Sequence, residues 1–156
     1  MQELSYEVRT IGPSDIGLMR ELNALFGRTF NDAETYCAAS PDDSYLATLL
    51  ARRHIVVVVA VAEAMVIGGL VAYELEKLER SRSEFYIYDL AVEEKYRRRG
   101  VATACIECLQ AIAAKRGGWV IFVQADYGDD PAISLYQKIG VREEVLHFDI
   151  APRAKR

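Results

Sequence analysis

A basic turn in the middle of the chain carries residue types that can bind phosphate groups. Three consecutive arginines, residues 97–99, precede Gly100, and a helical repeat of apolar residues begins at Val101. The first turn of a helix presents unpaired backbone N–H groups at the positive end of the helix dipole, and these can hold a pyrophosphate. Gly100 and Ala102 leave the backbone open to close approach, and arginine supplies the matching charge. The turn is equally typical of an ordinary basic surface turn.

One carboxylate lies inside an apolar segment just before this turn. Asp89 stands between Ile87 and Val92, and a buried carboxylate is costly unless it is paired or hydrogen-bonded. Such a residue either takes part in chemistry or fixes a bulge or a loop through a buried hydrogen bond. The residues alone leave both interpretations open.

Three cysteines, Cys37, Cys105 and Cys108, do not suggest a metal site or a disulfide framework. Cys105 and Cys108 form a CxxC pair in letters only, because neither a second pair nor a nearby histidine completes a zinc site. Each of the three is predicted to pack as a small apolar side chain. We expect no bound metal.

The composition sets the class of protein. With 156 residues, 51% of them apolar, the chain predicts one domain with a real core, spanning residues 1–152 and followed by a basic tail at 153–156. A net charge of −4 argues against nucleic acid as the main partner. No apolar run approaches the roughly 20 residues of a membrane helix, and the first residues lack the pattern of a secretion signal. These features favour a cytoplasmic protein that does not bind membranes.

Periodicity predicts the element order β-α-α-β-β-β-α-β-α-β, which is typical of a mixed sheet with helices on its faces. Strands are predicted at 4–10, 54–62, 66–75, 85–92, 119–125 and 143–150. Helices are predicted after Ser14 as N-cap, from Asp42 or Asp43, after Gly100, and from Asp129 through Ile139. Residues 27–41 are predicted to be irregular.

Three motifs in this order resemble the GCN5-related N-acetyltransferase (GNAT) superfamily. Arg97-x-x-Gly100-x-Ala102 is similar to the R/Q-x-x-G-x-G/A motif, and it follows a strand, residues 87–92, that resembles the family's "L-x-V" strand. Residues 132–141 resemble the family's "A-x-x-L-Y-x-K-x-G-F" helix. The Gly68-Gly69 pair in the preceding predicted strand, 66–75, also matches the family. Residues 25–30, 83–92, 123–131 and 142–150 are similar to the aminoglycoside 3-N-acetyltransferases that modify gentamicin. The resemblance covers nearly the whole chain.

The resemblance implies a GNAT fold whose mostly antiparallel sheet is splayed between the fourth and fifth strands. It implies acetyl-CoA as co-substrate and direct transfer to a cationic amino sugar in a ternary complex, with a homodimer as the usual assembly. The residues implied for acetyl-CoA are Leu90, Ala91 and Val92 beside the pantetheine arm, and Arg97, Arg98, Arg99, Gly100, Val101, Ala102 and Thr103 around the pyrophosphate.

Two side chains are implied as catalytic. An ammonium has no lone pair, so a base must take its proton, and Asp89 is the candidate. Tyr136 matches the family tyrosine that protonates the leaving thiolate, although its helical spacing also fits a core aromatic. The acceptor-binding residues expected from the acidic loop, the last strand and its neighbours are Tyr88, Asp126, Asp129, Asp130, Glu143, Glu144, His147 and Asp149. Residues Asn31, Asp32, Glu34 and Tyr36 are a possible further wall of this site.

Alternatives to these assignments stay open. Asp129 and Asp130 are also favourable charges at a helix start, and a lone histidine such as His147 is more often structural. The same fold can acetylate a polyamine or a protein amine, and a non-catalytic acyl-CoA-binding module is a third hypothesis. Retention of both Asp89 and Tyr136 disfavours the last.

Overall fold

The computed structural model describes residues 3–154. In this part of the chain five strands form one sheet, and four α-helices lie between or after them in sequence. The strands are β1 (Glu7–Thr10), β2 (Ile55–Ala62), β3 (Met65–Glu76), β4 (Ser83–Val92) and β5 (Gly118–Val123). The helices are α1 (Ile16–Thr29), α2 (Asp43–Leu50), α3 (Val101–Lys115) and α4 (Asp130–Ile139). A π-helical turn (Glu34–Ala38) follows α1, and a 3₁₀ turn (Glu94–Tyr96) follows β4. The predicted order is confirmed up to Ile139.

The sheet is mixed and mostly antiparallel, as predicted. Its order is β1-β2-β3-β4-β5, with antiparallel neighbours except for the parallel pair β4–β5. The β4–β5 pairing begins at Ser83 opposite Gly118 and stops at Ile87 opposite Val123. Residues 88–92 of β4 therefore have no strand on that side among the described residues, and the sheet is splayed between its fourth and fifth strands.

Two adjacent glycines show that helices cover both faces of the sheet. A Cβ atom on Gly68 would lie 2.9 Å from a methyl group of Val101 in α3. A Cβ atom on Gly69 would lie 2.8 Å from a methyl group of Leu22 in α1. Because consecutive strand residues point to opposite faces, α1 and α3 lie on opposite sides of β3. Each helix approaches so closely that neither position has room for a side chain.

The apolar core is built on both of these faces. On the α1 side, Leu22, Leu25 and Phe26 pack with Val57 and Val59 in one buried cluster. From α3, the fully buried side chains are Val101, Cys105 and Leu109. The continuous valine run of β2 follows from this arrangement, because a strand covered on two sides buries every residue. The prediction that each cysteine packs as a small apolar side chain is confirmed for buried Cys105 and half-buried Cys108. The same prediction is wrong for Cys37, which is exposed.

Two predicted boundaries at the first helix differ from the structure. The N-cap of α1 is Asp15, one residue after the predicted Ser14. Its carboxylate accepts the Gly12 N–H at 2.9 Å and an Arg9 N–H at 3.3 Å, so it braces the approach to the helix. The helix continues to Thr29, so it overlaps the segment 27–41 that was predicted to be irregular. The π-helical turn Glu34–Ala38 also lies in this segment.

The described residues divide into two compact units, one ending at Gln124 and one beginning at Ala125. In the second unit the Asp129 carboxylate caps α4 by accepting the Ala132 N–H at 3.3 Å, and Pro131 lies in the first turn. A single domain over residues 1–152 stays a prediction. Residues 155–156 of the predicted tail lie outside the described part of the chain.

The last predicted strand is wrong. Residues 143–150 belong to no strand of the described structure, and they are exposed. Alternating apolar residues favour extended backbone, but a strand forms only where a neighbouring strand completes its hydrogen bonds. The predicted positions of Glu143, Glu144 and Asp149 on a strand are therefore corrected to an extended segment. Within residues 3–154, no helix combines the length and apolar character needed to cross a bilayer.

Candidate active site

A β-bulge redirects the end of β4. The register between β3 and β4 shifts, so that Val71 is opposite Asp89 while the next residue, Ala72, is opposite Ile87. Tyr88 is thus the extra residue of the bulge. Val71 packs against the α1 cluster, and Asp89 shares that face because it is the cross-strand partner of Val71. Bulges re-aim side chains in this way, and they are common beside active sites.

Asp89 is held by a tyrosine from a distant part of the chain. The Tyr36 hydroxyl donates a hydrogen bond of 2.7 Å to Oδ1 of Asp89. The Tyr36 ring packs on two rings of α1, with centroids 5.7 Å from Phe26 and 5.6 Å from Phe30. The sequence marked Tyr36 only as one residue of a possible acceptor wall, because no local pattern connects residues 53 positions apart.

The segment that carries Tyr36 is ordered by its own hydrogen bonds. The Asp32 N–H donates to the Gly27 carbonyl at 2.9 Å, and the Asp32 carboxylate accepts the Thr35 N–H at 3.1 Å. A Cβ atom on Gly27 would lie only 2.9 Å from the Cys37 sulfur. The π-helical turn therefore lies directly against α1, and glycine is the residue that permits this approach.

The electrostatics of Asp89 suit proton acceptance. Burial raises the pKa of Asp89, and the hydrogen bond from Tyr36 acts in the opposite direction. Burial also raises the pKa of Tyr36 far above its usual value, and the neighbouring Asp89 charge adds to this effect. Tyr36 therefore stays a neutral donor at any ordinary pH. A carboxylate with a raised pKa holds an accepted proton more firmly than an exposed one.

Aromatic rings continue from this carboxylate across the same face. The Tyr88 ring lies 6.0 Å from Tyr73 of β3 and 5.6 Å from Tyr86. Tyr86 in turn stacks on Phe122 of β5 at 4.7 Å. Tyr88 is 62% exposed, so its ring is available to a ligand. A row of ring faces beside a carboxylate is suited to ammonium groups, which aromatic rings attract.

The basic turn ends in an open helix start. Gly100, the N-cap of α3, has φ +80°, and no side chain of the described residues caps the helix. Arg98 also adopts a left-handed conformation, with φ +60°. All three arginines are exposed, but the Arg97 side chain points back and donates from Nε to the Val92 carbonyl at 3.1 Å. The first N–H groups of α3, at Val101, Ala102 and Thr103, fit the requirements of a diphosphate.

The free edge of β4 lies immediately before this turn. Its residues Leu90, Ala91 and Val92 pair with β3 on one side and have no described strand on the other. An unpaired edge can bind an extended amide-containing ligand through backbone hydrogen bonds. The edge and the open helix start are consecutive in the chain, which fits a ligand that carries a diphosphate and an amide arm.

The second unit contains the remaining predicted residues. Tyr136 is half-buried in α4, and burial, with a contribution from Asp129, raises the pKa of Tyr136 to about 12. Asp126 and Asp129 belong to one turn, in which the Asp129 N–H donates to the Asp126 carbonyl at 3.2 Å, and Asp130 opens α4 beside them. Asp129 therefore caps α4, and Asp130 is the acidic residue of its first turn.

Acidic residues in the extended segment are exposed and locally paired. Arg142 donates to Glu144 at 2.6 Å, and His147 Nε2 lies 2.9 Å from Asp149 Oδ1. Glu143 is exposed as well. Among residues 3–154 there is no group of three or more histidine, cysteine or acidic side chains that could bind a metal ion.

Comparison with solved structures finds acetyltransferases that are similar over nearly the whole chain. A crystal structure of an aminoglycoside acetyltransferase from an uncultured soil metagenomic sample is similar over 96% of this chain and 100% of its own, with 50% identity and a TM-score of 0.94. A second such enzyme from an uncultured soil metagenomic sample, solved in complex with sisomicin, has 29% identity, a TM-score of 0.86, and coverage of 95% and 97%. No curated protein sequence matches significantly.

A more distant structure shares the fold. AAC(6')-Iy, solved with a bisubstrate analogue that joins CoA to an acetylneamine, has 18% identity and a TM-score of 0.75 over 96% of this chain and 99% of its own. The model of the acetyltransferase (GNAT) family matches residues 18–141. This match includes most of α1, the sheet from β2 onward, the basic turn and α4. The chain therefore belongs to the GNAT family and is an acetyl-CoA-dependent N-acetyltransferase.

Proposed function

We propose that this enzyme transfers the acetyl group of acetyl-CoA to the 3-amino group of gentamicin-type aminoglycosides, and thereby confers antibiotic resistance. The observation that carries the proposal is the Asp89 carboxylate, which lies on a face of tyrosine rings at the splayed end of β4. The similarity to aminoglycoside acetyltransferases at 50% and 29% identity supports the choice of acceptor. The 3-amino position follows from the sequence resemblance alone.

Acetyl-CoA supplies an activated acetyl thioester, and the chain's own residues bind and orient it. In the proposal, backbone N–H groups from Arg98 to Thr103 bind the pyrophosphate, and Arg98 and Arg99 supply positive charge. Arg97 has a different role, because its side chain fixes the turn to the end of β4 through the Val92 carbonyl. Residues 90–92 bind the pantetheine amides along their free edge.

The acceptor reaches the enzyme as an ammonium ion. Asp89 takes a proton from it and so exposes the nitrogen lone pair, which attacks the acetyl carbonyl carbon directly in the ternary complex. Tyr136 donates a proton to the departing thiolate. Its pKa of about 12 keeps the phenol protonated at neutral pH, so the proton is available when the thiolate forms.

Several carboxylates are proposed to bind the other ammonium groups of the amino sugar. Asp126, Asp129 and Asp130 in the loop before α4, and Glu143, Glu144 and Asp149 in the extended segment, supply negative charge in the second unit. His147 is proposed with them through its contact to Asp149. Tyr88 offers the exposed ring face. A net charge of −4 also favours approach of a polycation.

One assay compares three acceptors. Acetyl-CoA consumption is measured with gentamicin, spermidine and a lysine-containing peptide, each tested separately, and the acetylated position of gentamicin is identified by NMR. We expect turnover with gentamicin only, and a product acetylated at the 3-amino group. Turnover confined to spermidine or the peptide would replace the proposed acceptor, and failure to consume acetyl-CoA with any amine would contradict the proposed reaction.

Asp89→Asn tests the proposed base in the same assay. General-base catalysis contributes about 10²–10⁴-fold to a rate, so we expect kcat to fall by at least about 100-fold. Acetyl-CoA affinity, measured by calorimetry, should stay the same and show that the variant is folded. Near-normal turnover would remove Asp89 from the mechanism.

We also propose that the enzyme acts in the cytoplasm as a homodimer. The extended segment supports dimerisation because Val145, Leu146, Phe148 and Ile150 are 72–89% exposed, and a second copy can cover such an apolar surface. Light scattering after size exclusion should give twice the chain mass. The variant Phe148→Ser should shift the equilibrium toward monomer, and a monomeric wild-type protein at micromolar concentration would contradict the proposal.

A further inference from the structure

We propose that Tyr36 is a positioning residue for acetyl transfer: its hydroxyl holds Oδ1 of Asp89, which leaves Oδ2 as the oxygen that takes the proton of the acceptor amine. The proposal rests on the proposed function, because it assumes that Asp89 is the base. It assigns a role to the π-helical turn after α1, a part of the chain to which no motif points.

The hydrogen bond from Tyr36 makes the two carboxylate oxygens of Asp89 different from each other. Tyr36 donates to Oδ1 at 2.7 Å, a short distance typical of a hydroxyl bound to a charged acceptor. Oδ2 has no hydrogen-bond partner within residues 3–154. Because Asp89 follows the bulge residue Tyr88, strand pairing alone does not fix its side-chain torsions. The Tyr36 hydroxyl supplies the missing constraint.

Tyr36 is itself held from three directions, as a positioning residue must be. Its ring is packed on Phe26 and Phe30 at 5.7 and 5.6 Å between centroids. Its backbone N–H donates to the Asp32 carbonyl at 3.2 Å. The turn lies against α1 at Gly27, where a Cβ atom would be 3.5 Å from the Cβ of Tyr36. The hydroxyl therefore occupies a defined place relative to α1 and the core cluster.

The proton balance gives Tyr36 no chemical step. The acceptor ammonium loses two protons when it becomes an amide N–H. One passes to Oδ2 of Asp89, which later releases it to solvent. Tyr136 gives its own proton to the CoA sulfur as the carbon–sulfur bond breaks, and the second proton of the amine restores the Tyr136 phenol. Tyr36 keeps its proton throughout, and its raised pKa is consistent with that. Its effect is to orient the base and to stabilise the ionised form of the base.

The groups around Asp89 are few and mostly neutral. From the π-helical turn and its approach come the Tyr36 hydroxyl and, beyond it, the Asp32 carboxylate. The charge of Asp89 also contributes to the raised pKa of Tyr73 on β3 and of Tyr86 on β4. Tyr88 and Tyr45 lie close to the Tyr73 ring. No lysine, arginine or histidine affects the pKa of Asp89. Removing the Tyr36 hydroxyl should therefore raise the pKa of Asp89, because a stabilising donor is lost.

The test is the pH dependence of kcat/KM for gentamicin in Tyr36→Phe. The base must be ionised, so activity falls as pH drops through its pKa, and a raised pKa moves this acid limb to higher pH. We expect the acid limb of Tyr36→Phe to lie at higher pH than that of the wild type. We also expect kcat to fall by about tenfold at neutral pH, which corresponds to the loss of one hydrogen bond to a charged group. The acceptor's own amine titrates identically with both enzymes, so a displaced limb reports on the enzyme.

Trp119→Phe is the matched control, because it removes an N–H that donates to another carboxylate of β4, Glu84, at 3.3 Å instead of to Asp89. Its acid limb should coincide with that of the wild type. In the Asp89→Asn background, Tyr36→Phe should have no further effect on kcat. An unmoved limb in Tyr36→Phe, or an equal loss of kcat in both backgrounds, would overturn the positioning role.

The two proposals fail in different ways. If Asp89→Asn keeps normal turnover, the assignment of Asp89 as base is wrong, whatever Tyr36 does. If Asp89→Asn is inactive but Tyr36→Phe behaves like the wild type, only the positioning role is wrong. Thermal unfolding of each variant, with and without acetyl-CoA, distinguishes both results from a loss of the fold.

Discussion

Two glycines at the opposite ends of α3 allow a test of the proposed diphosphate site. Gly100, before the helix, has φ +80°, and Gly117, after it, has φ +74°. A Cβ atom would meet only the Tyr6 hydroxyl, at 4.0 Å, in the first case and nothing within 4 Å in the second. Alanine at either position therefore costs only the strain of left-handed backbone, about 1–2 kcal/mol of unfolding free energy. The two losses of stability should be equal.

The effect on acetyl-CoA affinity should differ between the two variants. Backbone strain is present in both the free and the bound enzyme, so it cancels from the dissociation constant. A new Cβ atom at Gly100 lies where the proposal puts the diphosphate, whereas Gly117 is at the other end of the helix. Losing one hydrogen bond to a charged group costs about 1.5–3 kcal/mol, so Gly100→Ala should raise the Kd at least about tenfold.

Calorimetric titration with acetyl-CoA and urea denaturation together measure both quantities. We expect a normal Kd for Gly117→Ala at the same loss of stability. If both variants bind acetyl-CoA equally well, the backbone before α3 does not hold the diphosphate. Equal weakening in both would mean that the Kd reports general destabilisation, and the reasoning from local contact would be refuted.

Three further variants test other contacts. Gly69→Ala should lower the unfolding free energy by about 3 kcal/mol in urea denaturation, because its Cβ atom would lie 2.5 Å from the Val58 carbonyl oxygen and the strand must shift. Arg116→Ala should cost about 2 kcal/mol in the same measurement, since it removes the 3.0 Å hydrogen bond to Glu74, whose side chain is 3% exposed and which keeps only Arg53 at 3.5 Å; a loss below about 1 kcal/mol would contradict this. Tyr136→Phe should lower kcat by about 100-fold with an unchanged Kd for acetyl-CoA, and an unchanged kcat would reject its role as proton donor.

Local signals were sufficient to predict most of the first unit. The apolar run of β2, the Gly68-Gly69 pair and the helical repeat after Gly100 each depend on near neighbours in the chain, and each led to the correct element. Gly100 was marked because glycine leaves the backbone open to the close approach of a phosphate group. Its positive φ is a second reason for glycine at this position, and the sequence did not predict it.

The contact between Tyr36 and Asp89 could not be predicted in the same way. It depends on the bulge at Tyr88, which turns Asp89 to the face of α1, and on a π-helical turn that brings Tyr36 to that face. Neither irregularity has a periodic pattern, because each consists of a single inserted residue or a widened turn. The sequence offered a costly carboxylate in an apolar strand, and this cost indicated correctly that a partner must exist. Identifying the partner required the fold.

The extended segment 143–150 shows the reverse case, in which a good local pattern does not produce the element. Leu146, Phe148 and Ile150 alternate with polar residues as in a half-buried strand, yet each is more than 70% exposed. Alternation reports only which residues favour burial, whereas a strand also needs an edge that accepts its hydrogen bonds. The predicted strand and the observed exposure agree if the partner of the segment is a surface of a second copy of the chain. The homodimer proposal therefore accounts for the one element that the sequence predicted and the structure does not contain.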